Sequence, residues 1–94
     1  MRTLRRVCIV GMGYVGCTLA AVLADRGYDV TGIEKDPAIA ARLQRGDPHF
    51  HEPELPALMR RLLAAGSLRV LTSIPAESFD VFVIAVGTPV DALA

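Results

Sequence analysis

Residues 5–34 read RRVCIVGMGYVGCTLAAVLADRGYDVTGIE, and the way this stretch folds decides the fold of the chain. Gly11, Gly13 and Gly16 stand in G-x-G-x-x-G spacing. The spacing alone is a weak signal, because glycine-rich turns join buried elements in many proteins. Its neighbours carry more weight. Arg6 to Val10 is a short β-branched apolar run that stops at Gly11, as a buried strand does. Residues 14–26 are rich in alanine and leucine, with Gly27 in the C′ place, as expected of a helix laid on a sheet. Asp29 to Glu34 reads as a second strand. The glycines therefore follow a strand and open a helix, the context in which each has a task. Gly11 allows the tight turn off the strand, Gly13 lets a pyrophosphate approach the backbone, and Gly16 lets the helix pack closely. Phosphates placed there meet free N–H groups and the positive end of the helix dipole.

Glu34 ends the second strand about 20 residues beyond the glycines, where a dinucleotide-binding unit carries its acidic residue. A carboxylate there accepts both hydroxyls of an adenosine ribose and repels a 2′-phosphate, which favours NAD over NADP. The neighbouring Lys35 offsets part of that repulsion.

Further along, Asp36 and Pro37 form an N-cap and first-turn pair opening a helix that ends near Gly46. Residues 46–52 are a loop. Pro53 is expected to open a third helix, with Leu55, Leu58, Met59, Leu62 and Leu63 on one face and Gly66 closing it. Arg60 and Arg61 fall on the other, solvated face. Leu68 to Thr72 is a third strand. Val81 to Val86, VFVIAV, is apolar on both faces, as a central strand of a parallel sheet is.

This order predicts α/β architecture: a Rossmann-like doubly wound parallel sheet, partial, with about four strands in the order 3-2-1-4 and helices mainly on one face. Residues 1–94 form one domain. One connection is tight. Residues 73–79 must cross from the third strand past two others, with about 3.4 Å of reach per residue against about 4.8 Å between strands. The crossing is expected to be extended, or to hold a single helical turn. With so little chain over the second face, VFVIAV is expected to leave apolar surface and a strand edge bare, and the chain to self-associate or to be poorly stable.

Composition sets bounds. The formal net charge is zero, which gives no electrostatic case for nucleic acid. Arg2, Arg5 and Arg6 before an apolar stretch mimic a secretory signal, but glycines interrupt the stretch and it runs on into a strand ending in an acid. No segment is apolar for long enough to span a membrane. Cys8 and Cys17 have neither metal nor disulfide-framework spacing and read as reduced, packed thiols of a cytoplasmic protein. His49 and His51 beside Glu52 read as surface-loop histidines and not as a metal site; no metal is expected.

VGMGYVG, GYDVTGIEKDP, HEPEL and VFVIAVGTP follow one another along the chain. Together they resemble the N-terminal segment of the UDP-glucose/GDP-mannose dehydrogenase family, over essentially the whole chain. The Gly-Tyr-Val-Gly form of the motif followed by Val-Gly-Thr-Pro is far more specific than the glycines alone. The resemblance implies a Rossmann domain that holds NAD within an enzyme oxidising the sugar alcohol of a nucleotide sugar to a carboxylate, with two NAD consumed. It implies that Gly11, Gly13, Tyr14, Val15 and Gly16 hold the pyrophosphate, that Glu34 beside Lys35 takes the ribose, and that Val86, Gly87 and Thr88 line the nicotinamide side. Glu34 replaces the more usual Asp. Ile39 stands where some members carry a basic residue, and Cys17-Thr18 where Leu-Pro or Leu-Ser is common.

The family's nucleophilic cysteine belongs to a Gly-x-x-Cys segment followed by Pro-Lys-Asp, far downstream and absent here. No catalytic residue is therefore expected among these 94, and the nucleotide sugar is expected as a partner only of the full-length enzyme. Two other readings fit the glycines: a stand-alone NAD-sensing regulatory module, and another Rossmann dehydrogenase of the hydroxyacyl or phosphogluconate kind.

Overall fold

The computed structural model describes residues 5–86. Strand β1 (Arg6–Val10) leads through the glycine turn into helix α1 (Tyr14–Asp25), then β2 (Asp29–Ile33), α2 (Pro37–Gln44), α3 (Leu55–Ala65), β3 (Leu68–Leu71) and β4 (Val81–Ile84). All strand pairs are parallel and the order is β3-β2-β1-β4. The expected architecture is the observed one, with strands two, three and four ending one or two residues early.

Alternation sorts the strands into two faces. Val7, Ile9, Val30, Leu68 and Val70 point into one core. Helix α1 meets them with Gly16, Cys17, Ala20, Ala21 and Ala24, small side chains that let helix and sheet backbones approach closely. Helix α3 contributes Leu55, Met59 and Leu62, with Leu58 and Leu63 half-buried at its flanks. Helix α2 starts where Asp36 Oδ1 accepts from the N–H of Ala38 at 2.9 Å and of Ile39 at 3.4 Å. Helix α3 starts at Leu55 and not at Pro53. The Glu52 carboxylate accepts from the Glu54 N–H at 3.2 Å and holds residues 52–54 in a turn, so Pro56 becomes the first-turn proline.

Among the described residues the second face has no helix. The crossing between β3 and β4 is irregular throughout and takes the first of the two forms expected, without a helical turn, yet it covers more of the sheet than expected: Cys8 and Thr31 beneath it are fully buried. Charge holds it down. The Asp80 N–H donates to the Arg6 carbonyl and the Arg6 N–H returns to Asp80 Oδ2, both at 2.8 Å. The Arg6 guanidinium donates to the Ser78 carbonyl at 2.7 Å, pairs with Glu77 and Asp29, and lies 5.0 Å from the centre of the Phe79 ring. Arg69 bridges the Glu77 carboxylate at 2.6 Å and the Thr31 hydroxyl at 2.8 Å. The hydrogen bonds from Arg69 and Arg6 hold the Glu77 carboxyl below its ordinary range, and Glu77 in turn raises Arg6.

β4 remains the open side. Phe82 is 52% exposed and Ile84 65%, so the bare apolar surface expected of VFVIAV is present. Among the described residues no helix is long and apolar enough to cross a membrane.

Candidate functional site: the glycine turn

The C-terminal ends of β1, β2 and β4 converge on the turn between β1 and α1. Gly11 has φ +101, a conformation that L side chains rarely adopt. Its N–H donates to the Ile33 carbonyl at 2.9 Å, tying the turn to the end of β2. A Cβ on Gly11 would lie 2.9 Å from both the backbone N and Cγ1 of Val86, just past β4. Gly11 is thus held by three strand ends at once.

Gly16 and Gly13 do opposite things. A Cβ on Gly16 would overlap the Gly11 carbonyl oxygen and lie 3.6 Å from Ala85 Cβ. Gly16 therefore lets the first turn of α1 close on its own loop as well as on the sheet. A Cβ on Gly13 would meet nothing within 4 Å, and its backbone, at φ −79 and ψ −159, is one any residue adopts. Nothing in the described fold asks for glycine at position 13.

Open space at Gly13 lies at the start of an uncapped helix. Gly13 is the N-cap of α1, with no side-chain cap and no acidic residue in the first turn. The Cys17 N–H makes the first intrahelical bond, to the Gly13 carbonyl at 2.9 Å. The N–H groups of Tyr14, Val15 and Gly16 have no acceptor among the described residues. N–H groups without an acceptor among the described residues, at a positive helix end beside the open space at Gly13, suit an anion.

Glu34 follows Ile33, whose carbonyl receives the Gly11 N–H, so its carboxylate stands beside the turn. Its own N–H donates to the Leu71 carbonyl at 2.8 Å, and its Oε2 accepts from the Asp36 N–H at 3.0 Å. That leaves Oε1 to accept from an outside donor. Lys35 is exposed, and Val86, beside Gly11, is 61% exposed. Gly87 and Thr88 lie outside the described residues.

Two determinants escape the motif. Met12 is fully buried and plugs the turn from below. Its Sδ and Cε occupy the space that a Cβ on Gly32 would enter at 2.5 Å, and its carbonyl accepts from Cys17 Sγ at 3.1 Å. A glycine in the middle of a strand was the available sign of such a close approach. The second is Phe50, in the loop between α2 and α3. Its ring meets Tyr14 edge to face at 5.3 Å.

The cysteines are packing residues. Burial pushes the Cys17 thiol up to about 12, with Glu34 adding to the effect, and burial raises Cys8 as well. A thiol kept protonated is no nucleophile at neutral pH. His51 is exposed as expected. His49 is half-buried, its ring edge-on to Phe50 at 5.2 Å and its Nδ1 buried without a partner among the described residues. Among those residues no group of three or more His, Cys, Asp or Glu side chains could hold a metal. Arg60 and Arg61 are exposed, and Arg61 pairs with Asp25 at 2.7 Å.

A parallel β3-β2-β1-β4 sheet with a glycine turn opening α1 and an acid ending β2 defines a dinucleotide-binding domain of the Rossmann class. Residues 5–93 match the model of the UDP-glucose/GDP-mannose dehydrogenase family, NAD binding domain, and the chain belongs to that family. NAD is the cofactor that this membership brings. The chain is 41% identical over 86 residues to the UDP-glucose 6-dehydrogenase of Pseudomonas aeruginosa, an alignment covering 89% of this chain and 19% of that protein. It is 34% identical over 86 residues to the UDP-N-acetyl-D-mannosamine dehydrogenase of Methanococcus maripaludis (strain C7), covering 92% and 20%. The solved UDP-D-ManNAc dehydrogenase of Pyrococcus horikoshii superposes with a TM-score of 0.85 at 32% identity, covering 89% of this chain and 20% of that one. The chain thus spans about a fifth of the length of the curated relatives it matches.

Proposed function

We propose that these residues hold NAD for a nucleotide-sugar dehydrogenase, an enzyme oxidising the sugar alcohol of a nucleotide sugar to a uronic acid. The observation that carries the reading is the open space at Gly13 before three N–H groups that have no acceptor among the described residues. A pyrophosphate fits there, with Gly11 and Gly16 shaping the turn and the Tyr14, Val15 and Gly16 backbone donating. Glu34 receives the ribose hydroxyls beside Lys35, and Val86, Gly87 and Thr88 form the nicotinamide side.

Bound NAD supplies the hydride acceptor. The residues described here bind and orient it. With both thiols buried and held protonated, and the chain spanning about a fifth of its relatives, the sugar-handling chemistry is assigned to other parts of the enzyme. Two buried, unpaired cysteines also support a reducing, cytoplasmic setting.

Cofactor choice tests the reading. Glu34 repels a 2′-phosphate, so calorimetric titration is expected to show NAD binding at least about tenfold more tightly than NADP, a difference of about 1.4 kcal/mol. Glu34→Gln is expected to narrow the gap. Equal or tighter NADP binding by the unaltered chain would overturn the role given to Glu34.

A further inference from the structure

Phe50 is remote from the glycine motif in sequence, yet its ring touches the motif's own tyrosine. Tyr14 is the first residue of α1 and is 55% exposed. It follows a glycine cap that supplies no side-chain hydrogen bond, and helix ends without caps fray. Phe50 meets the Tyr14 ring at 5.3 Å and 78°, edge to face. Phe50 is itself fixed: it packs against the hydrophobic core, and His49 meets its ring at 5.2 Å and 76°.

The loop that carries Phe50 is built to stay in place. The Gly46 N–H donates to the Leu43 carbonyl and the Asp47 N–H to the Arg42 carbonyl, both at 2.9 Å. The Arg42 guanidinium returns to Asp47 at 3.3 and 3.4 Å and to the Pro48 carbonyl at 3.1 Å. A Cβ on Gly46 would collide with the Arg60 side chain, so the loop leaves α2 tight against α3.

We propose that Phe50 is a positioning residue for the dinucleotide: through Tyr14 it holds the first turn of α1 so that the Val15 and Gly16 N–H groups aim at the pyrophosphate. The inference rests on the NAD-cradle reading above. It makes the loop between α2 and α3 part of the cofactor machinery through the Phe50–Tyr14 contact.

The test is calorimetric NAD affinity of the full chain, with thermal melts alongside, for the unaltered chain, Phe50→Leu, Phe50→Ala, Tyr14→Ala and Tyr14→Ala/Phe50→Ala. Leucine keeps apolar bulk in the core and removes the ring, so Phe50→Leu is expected to melt within a few degrees of the unaltered chain. An aromatic pair is worth about a two- to tenfold shift in an equilibrium, and NAD affinity of Phe50→Leu is expected to fall by that factor. The double variant is expected to bind no more weakly than the weaker single variant, because both substitutions remove one contact. In spectra of the ligand-free protein, the Val15 and Gly16 amide resonances should move in Phe50→Leu. Unchanged NAD affinity of Phe50→Leu, or losses that multiply in the double variant, would overturn the proposal. Failure of the unaltered chain to bind NAD would overturn the cradle reading itself, and this inference with it.

Discussion

Gly13 and Gly16 are three residues apart in one motif, and the proposed NAD cradle gives them separable tasks. Replacing Gly13 by valine tests this most sharply. The position has ordinary backbone angles, and a Cβ there meets nothing within 4 Å. The fold should tolerate the change: a lost glycine restricts the unfolded chain by about 0.4–1 kcal/mol in favour of folding, and a poorer N-cap costs a similar amount. The melting temperature should therefore stay within a few degrees. NAD binding should collapse, because the new side chain stands in front of the free N–H groups. Losing about two hydrogen bonds to a charged phosphate, at about 1.5–3 kcal/mol each, weakens Kd by about two to four orders of magnitude. Gly16→Ala is the counterpart. Its Cβ would overlap the Gly11 carbonyl oxygen, and overpacking against backbone costs about 1–3 kcal/mol, or about 4–20 °C in Tm for a chain of this size. Calorimetry with NAD and thermal melts of both variants give the four numbers needed. The reasoning fails if Gly13→Val binds NAD as well as the unaltered chain, or if it unfolds as readily as Gly16→Ala.

Two further outcomes follow from titratable groups. The Cys17 thiol is held up to about 12 by burial, so neither it nor the buried Cys8 should react with a thiol reagent at pH 8 in the native chain, while both should react in denaturant; fast native labelling would contradict the packing described. The Glu77 carboxyl lies below its ordinary range because Arg69 and Arg6 donate to it. Its stabilising effect is present above the unfolded value, about 4.3, and is lost as pH falls through the lower folded value. Melting temperature should drop on acidification through that window, and less steeply in Glu77→Gln.

The architecture could be read from sequence where periodicity and punctuation agree. β1, α1 and β2 are marked by an apolar run, an alanine-rich helical face and glycines, and Asp36-Pro37 announces α2 by capping chemistry alone. Glu34 could be located because its distance from the glycines is fixed by one helix and one turn. What could not be read depends on three-dimensional juxtaposition. Pro53 resembles a helix opener, but the Glu52 carboxylate holds the turn that delays α3 to Leu55. The crossing after β3 looks like a bare connection, and only its approach to Arg6 and Arg69 reveals a charged clasp over Cys8 and Thr31. Met12 is an unspecified position within the motif, and its need for Gly32 emerges only when β1 and β2 lie side by side. Phe50 sits 36 positions beyond Tyr14, and no local pattern joins them.

The central claim is that a pyrophosphate lies across Gly13 on the first turn of α1. Titrating the isotope-labelled chain with NAD and following its backbone amide resonances tests this directly. The account predicts the largest, saturable shifts at Gly13, Tyr14, Val15 and Gly16, with smaller ones at Glu34 and Val86. Shifts confined to the open depression lined by His49, His51 and Pro53, with the glycine turn unmoved, would contradict it.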